Sequence, residues 1–382
     1  MIKTTRLFND FFNSEKAGGL VIIFCTIISL IIANSTFGNT YQLLWKTAIA
    51  GHSITHWVND GLMTVFFLLI GLELEREVYR GELSNYKNAM LPVLGAFGGM
   101  AVPAAIFLVF NFGTATQSGA GIPMATDIAF ALGVLSLLGN RVPASLKIFL
   151  TALAVIDDIG AILVIAFFYS KTISVFNLLL AMSIFGLLLV LNRLKVRNLV
   201  PYLIAGVFMW YFMLKSGVHA TMAGILLAFA IPFGSGKPKS SSYILQYYLH
   251  KPVAFFIVPI FVLANTAIEL KGSITNLFTL NYSIGIAAGL LVGKPLGIFL
   301  LSFIAVKFGV AKLPQDLNWK SIFGAGVLGG IGFTMSIFIT LLAFEEVDII
   351  NNTKLAILIS SLFAAVIGFL MLYFILKHKA EK

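Results

Sequence analysis

The sequence predicts an all-α integral membrane protein of about twelve transmembrane helices, and three observations carry that prediction. Hydrophobic residues make up 59% of the 382 and charged residues only 11%, against ~25% charged in a soluble globular protein. The apolar residues gather into runs of spanning length, which is ~20 residues. The basic residues sit in the short segments between those runs. No soluble fold hides so much apolar surface.

In order, the runs fall near 17–34, 55–74, 90–111, 118–138, 143–170, 175–192, 199–214, 217–233, 252–270, 282–306, 320–344 and 354–376. The first follows a polar start ending at Lys16. It is too long for a signal-peptide core and has no small-residue cleavage pattern, so it is expected to be retained. The connection 35–54 is the longest on its side. With Gly38-Asn39, Gly51 and alternating Tyr41, Leu43 and Trp45, it fits a short β-hairpin on the outer face. An even number of spans puts both termini on one side. Twenty basic residues fall on that side: Lys3, Arg6, Lys16, Arg76, Arg80, Lys87, Arg141, Lys147, Arg193, Lys195, Arg197, Lys237, Lys239, Lys251, Lys307, Lys312, Lys320, Lys377, Lys379 and Lys382. Five fall on the other: Lys46, Lys171, Lys215, Lys271 and Lys354. The positive-inside rule therefore predicts cytoplasmic termini. Every loop is short, so residues 1–382 form a single domain.

This placement also accounts for the net charge of +10. A basic stripe with interleaved aromatics, as a nucleic-acid surface needs, is absent. The single cysteine, Cys25, excludes an internal disulfide and a multi-cysteine metal site; inside the first run it reads as a small buried hydrophobe.

Four ionisable residues lie near the middle of apolar runs: Asp127, Asp157, Asp158 and Lys294. Each costs ~2.5–3.5 kcal/mol to insert before compensation. An Asp–Lys staple between helices would explain one acid and the lysine. It leaves two carboxylates that must take up protons or a cation. Asp157 and Asp158 are adjacent on a helix, so their side chains point ~100° apart. One suits a cavity, the other a neighbouring helix, and Lys294 is the only membrane-centre cation to meet it.

Two spans are interrupted at their centres. In the fourth, Pro123 precedes Thr126-Asp127, a pair suited to capping a new helix. In the eleventh, Gly324, Gly326, Gly329, Gly330 and Gly332 crowd ahead of Phe333-Thr334-Met335-Ser336. Gly324 to Gly329 matches the dinucleotide fingerprint by chance, since no strand precedes it. Irregular backbone at membrane depth survives only where protein or a water-filled cavity satisfies it. Spans 3–5 and 10–12 each carry an interrupted middle member and begin on opposite sides, an inverted repeat. Paired interruptions of this kind point to an ion or substrate site.

With these features the chain resembles the NhaA-type sodium/proton antiporter family. The segments that carry the resemblance are Trp57 to Met63, Phe66 to Glu73, Ala125 to Gly133, Ala154 to Gly160, Lys215 to Thr221, Gly293 to Gly297 and Gly329 to Phe338. They occur in order, and the resemblance runs from about Trp57 to Gly368, nearly the whole chain, which makes it specific.

The resemblance implies that Asp157 and Asp158 form the exchange site for Na⁺ or Li⁺ and H⁺, with Thr126 and Asp127 close by. It implies that Lys294 pairs with Asp157 as a counter-charge and offsets the ends of the broken helices, whose breaks lie at Pro123 and at Gly329, Gly330 and Gly332. It further implies a core bundle (about 90–170 and 282–376) and an interface bundle (about 17–80 and 175–270) that forms a homodimer. Glu73, Glu77, His219 and His250 match positions linked to pH response. For Glu73 and Glu77 a solvated face explains the acids equally well, and His219 reads equally as a packing residue. Ahead of span 9 the chain has Gln246 and Tyr247 where well-known members carry an acid and a histidine, which leaves only His250 titratable there.

The expected function is electrogenic Na⁺(Li⁺)/H⁺ antiport by alternating access in the cytoplasmic (inner) membrane, with no cofactor, no enzymatic activity and no nucleic-acid partner. A Na⁺-coupled organic-anion symporter could share the inverted repeat but needs a larger polar pocket. A cation channel has no use for a buried lysine competing for its acid. An intramembrane aspartyl protease would need a Gly-x-Gly-Asp signature, which is missing.

Overall fold

All twelve predicted runs carry helix in the computed structural model, which describes residues 6–84, 86–169, 173–234, 236, 240–270, 277 and 279–380. Among the described residues, eight helices are each long and apolar enough to cross a membrane. The number rises to ten if Ala17–Ala33 with Gly38–Lys46, and Trp319–Gly329 with Phe333–Ala343, each count as one span. The shortfall from twelve lies at Val200–Ser216, of 17 residues, and Met222–Ala230, of 9. The protein is a multi-pass membrane protein. Of the basic residues that set its sidedness, Lys3, Lys171, Lys237, Lys239, Lys271 and Lys382 lie outside the described residues.

The outer connection differs from expectation. Gly38–Lys46 is a helix, so Tyr41, Leu43 and Trp45 do not alternate along a strand. Tyr41, Leu44 and Trp45 share one helical face, so over so few residues the same apolar residues suit a helix as well as a strand. The hairpin follows it: β1 (Ala48–Ile49) pairs antiparallel with β2 (His52–Ser53). Ala50 and Gly51, at φ 51° and 86°, make the left-handed turn that fits the twist of a two-residue hairpin.

The described residues divide into two compact units, one from 1–38, 85–164 and 266–382, the other from 39–84 and 165–265. The first helix, Arg6–Ala33, belongs to the first unit and packs on Ile128–Ser136. Small residues cause this: a Cβ at Gly19 would crowd the Ala129 carbonyl oxygen and the Gly133 backbone.

Within the first unit, Tyr86–Asn111 packs along Asn281–Lys307, and Gln117–Met124 packs on Phe333–Ala343. The third predicted span thus meets the tenth, and the fourth meets the eleventh. Gly285, Gly289, Gly293 and Gly297 recur every four residues and line the contact with the third span; a Cβ at Gly297 would overlap the Gly98 carbonyl oxygen. Such a small-residue stripe lets two backbones touch where lipid supplies no hydrophobic drive. It also sets the height of Lys294, which follows a π-helical turn, Gly289–Gly293.

In the second unit Ile54–Arg80 packs on Met222–Ala230, where a Cβ at Gly224 would overlap the Thr64 carbonyl oxygen. Leu68, Leu72, Tyr202, Met209 and Leu227 are buried in its core.

Candidate functional site

The two interrupted spans meet at their breaks. In the fourth, a 3-10 segment, Gln117–Met124, ends in extended backbone at Ala125, and a helix resumes at Ile128–Ser136. Pro123 sits one residue before the end of the 3-10 segment. In the eleventh, Trp319–Gly329 stops at Gly330, and Phe333–Ala343 resumes after Gly332, bent by 47°. Both breaks lie where the sequence places them.

Irregular backbone needs partners, and each break supplies them to the other. The Asp127 amide donates to the Ile331 carbonyl at 2.7 Å. The Ser336 hydroxyl donates to the Ile122 carbonyl at 2.7 Å. Asp127 caps its own helix, its Oδ1 accepting the Phe130 amide at 2.9 Å, while its Oδ2 accepts the Thr334 amide at 3.0 Å and the Thr334 hydroxyl. One carboxylate therefore serves the positive ends of two helices.

Beside this crossing lies the ion pair. Lys294 Nζ is 2.9 Å from Asp157 Oδ2, and both side chains are fully buried. The same ammonium donates to the Met124 carbonyl, at the end of the 3-10 segment. The Thr126 hydroxyl lies 2.7 Å from Asp157 Oδ2 and 2.9 Å from the Gly329 carbonyl oxygen. Asp157 Oδ1 has no hydrogen-bond partner among the described residues. Asp158, next along Ala144–Phe168, is fully buried as well. The three acids and the lysine that stood out in the apolar runs thus lie buried in one unit, which also buries Lys354. A carboxylate in such surroundings must be paired, protonated or in contact with a cation.

The profile of the family described as Na+/H+ antiporter 1 matches residues 9–372. The chain belongs to that family. A relative from Flavobacterium psychrophilum, named Na(+)/H(+) antiporter NhaA, is 68% identical over 99% of this chain and 98% of its own. One of the same name from Vibrio campbellii is 50% identical over 97% and 96%. The solved sodium proton antiporter of Methanocaldococcus jannaschii is 14% identical and aligns over 97% of both chains with a TM-score of 0.55, a likeness of fold.

The remaining antiporter-family positions lie in the second unit. Glu73 is 3% exposed, which removes the solvated-face reading for it, and its Oε1 is 3.6 Å from His250 Nδ1. Glu77 pairs with neighbouring Arg76 at 3.1 Å. His219 Nε2 lies 2.9 Å from the Tyr169 carbonyl oxygen, so its packing role is satisfied whatever else it does. Gln246 is 5% exposed rather than on a surface, whereas Tyr247 is exposed.

Several buried polar groups carry no signal in the sequence. Glu75 is buried with Oε2 lacking a hydrogen-bond partner among the described residues; between Glu73 and Glu77 it reads as one more loop-side acid. The carbonyls of Met124 and Gly329 have no side-chain signature at all. Ser361, a hydroxyl in an apolar run, accepts the Phe333 amide at 3.1 Å.

Proposed function

We propose that the protein is a secondary active Na⁺(Li⁺)/H⁺ antiporter that extrudes Na⁺ from the cytoplasm in exchange for protons. The observation that carries this is the buried Asp157–Lys294 pair with Asp158 beside it, at the crossing of two broken spans, in a chain whose relatives are named antiporters. Asp158 and Asp157 are the exchange site. Na⁺ arriving from inside displaces their protons; the site then opens outward, Na⁺ leaves and protons replace it. One site cannot hold both loads, so exchange is coupled.

Lys294 is the fixed counter-charge of Asp157 and also lies against the negative end of the 3-10 segment through Met124. Thr126 ties Asp157 to the other break. Asp127, with donors on both oxygens, acts in this reading as the strut of the crossing, close to the cargo but not its carrier. If two protons enter for each Na⁺ leaving, the cycle moves one net charge, worth ~2.3 kcal/mol per 100 mV. That supports roughly 40-fold Na⁺ extrusion at 100 mV.

The core bundle of spans 3–5 and 10–12 moves against an interface bundle that dimerises, in the inner membrane with cytoplasmic termini. Glu73, Glu77, His219 and His250 tune activity with pH. The test is uptake of radioactive sodium into proteoliposomes under an imposed pH gradient. Uptake driven by outward proton flow supports antiport; sodium flux that is indifferent to the gradient overturns it.

A further inference from the structure

We infer that Ser361, on the last helix, is a positioning residue for ion exchange, because it caps the arm Phe333–Ala343 and so holds Thr334 on Asp127. This rests on the antiport reading above. A helix begins with amides that have no partner inside it. The arm's own N-cap position is Gly332, which offers no side chain. Two caps reach it from other elements instead. Asp127 Oδ2 takes the Thr334 amide at 3.0 Å, and Ser361 Oγ takes the Phe333 amide at 3.1 Å.

Ser361 is 2% exposed on Val347–Ala380, so water cannot replace it. Without its oxygen the Phe333 amide is left buried and unmet, a costly state. The relief open to it is a shift of the chain at 329–334. Three residues of that short stretch bond to the opposite break. Gly329 accepts from Thr126, Ile331 accepts from the Asp127 amide, and Thr334 donates to Asp127. Thr126 in turn touches Asp157 at 2.7 Å. A hydroxyl on the last helix therefore governs the register of the site without touching the cargo.

The experiment compares Ser361→Ala, Ser361→Cys and Ser361→Thr with wild type in the same proteoliposomes, with Ser360→Ala as a control for removing a buried hydroxyl nearby. Loss of a helix cap corresponds to about a 2- to 30-fold change in an equilibrium constant. The Ala and Cys variants should raise the apparent KM for Na⁺ by that factor with little change in maximal rate, and Thr should restore it. Backbone amide exchange at residues 333–336 should rise in Ala and Cys and remain at the wild-type level in Thr. A wild-type KM in the Ala variant, or equal effects from Ala and Thr, overturns the assignment, as does a loss of thermal stability with KM unmoved. If Ala does not fold, Cys and Thr still make the comparison. Wild-type protein that moves no protons on Na⁺ addition would overturn the antiport reading instead, and amide exchange would still judge the cap.

Discussion

Thr334 and Asp127 meet across the two broken spans, the threonine giving both its amide, at 3.0 Å, and its hydroxyl to one carboxylate oxygen. The other oxygen caps Phe130 at 2.9 Å. Asp127→Asn replaces one of those acceptors with an NH₂ group, so one helix end faces a donor with a donor. Hydrogen bonds to a charged group contribute about 1.5–3 kcal/mol, and the variant should melt earlier in detergent by a corresponding amount. Thr334→Val should couple to it by at least about 0.5 kcal/mol in a double-mutant cycle. Strictly additive effects would show that the two residues do not act as one clamp.

Lys294 makes the second prediction. Removing one partner from a buried ion pair costs about 3–5 kcal/mol, because the other charge is left stranded. Lys294→Ala leaves Asp157 with Thr126 as its hydrogen-bond partner among the described residues, so the variant's melting temperature should fall, and Asp157→Asn in the same protein should recover most of the loss. A double variant no more stable than Lys294→Ala would mean that Asp157 is not the stranded charge. Lys294→Arg keeps the charge and cannot deprotonate at working pH. It should retain electrogenic exchange with an altered pH profile. A switch to electroneutral exchange in a stable Arg variant would make Lys294 a proton carrier.

What the sequence exposes and what it hides divide along physical lines. Asp127, Asp157, Asp158 and Lys294 stand out because a charge in an apolar run is expensive wherever the fold puts it. Pro123 and the glycines before Phe333 stand out because they cannot continue a helix. That Lys294 meets one of the two adjacent aspartates follows from charge arithmetic; that it meets Asp157 rather than Asp158 comes from the family resemblance. By contrast, Met124 and Gly329 act through carbonyls that every residue has, and Ser361 through a hydroxyl that an apolar helix tolerates at many positions. A four-residue glycine period at 285–297 does not name its partner helix. At Gly38–Lys46 alternation and helical spacing coincide over so few residues that the pattern fits either element. For Gln246, proximity to a loop says nothing of burial.

Asp158 carries the third prediction. Asp158→Asn should abolish Na⁺-driven proton movement in everted vesicles while leaving the Asp157–Lys294 pair in place. Near-normal exchange would remove Asp158 as carrier. If both aspartates titrate in the cycle, wild-type exchange should also speed or slow with a potassium–valinomycin potential. Rates indifferent to that potential would exclude two protons per Na⁺.

The last prediction concerns Gln246, which is 5% exposed, four residues before His250, itself 3.6 Å from Glu73. Residues four apart on a helix share a face. A carboxylate introduced at 246 by Gln246→Glu would therefore lie on the face of Ser241–Asn265 that carries His250, in a place with little water. A charge there must bind a proton or a cation, or find a basic partner. Each of those choices depends on pH, so the variant should shift the pH at which exchange switches on. The proposed exchange site, Asp157 and Asp158, lies in the other unit, so the maximal rate should stay near that of wild type. Measuring exchange against pH in everted vesicles separates the two quantities. An unmoved profile would show that this face does not set the pH response, leaving the site aspartates' own titration as the governing equilibrium.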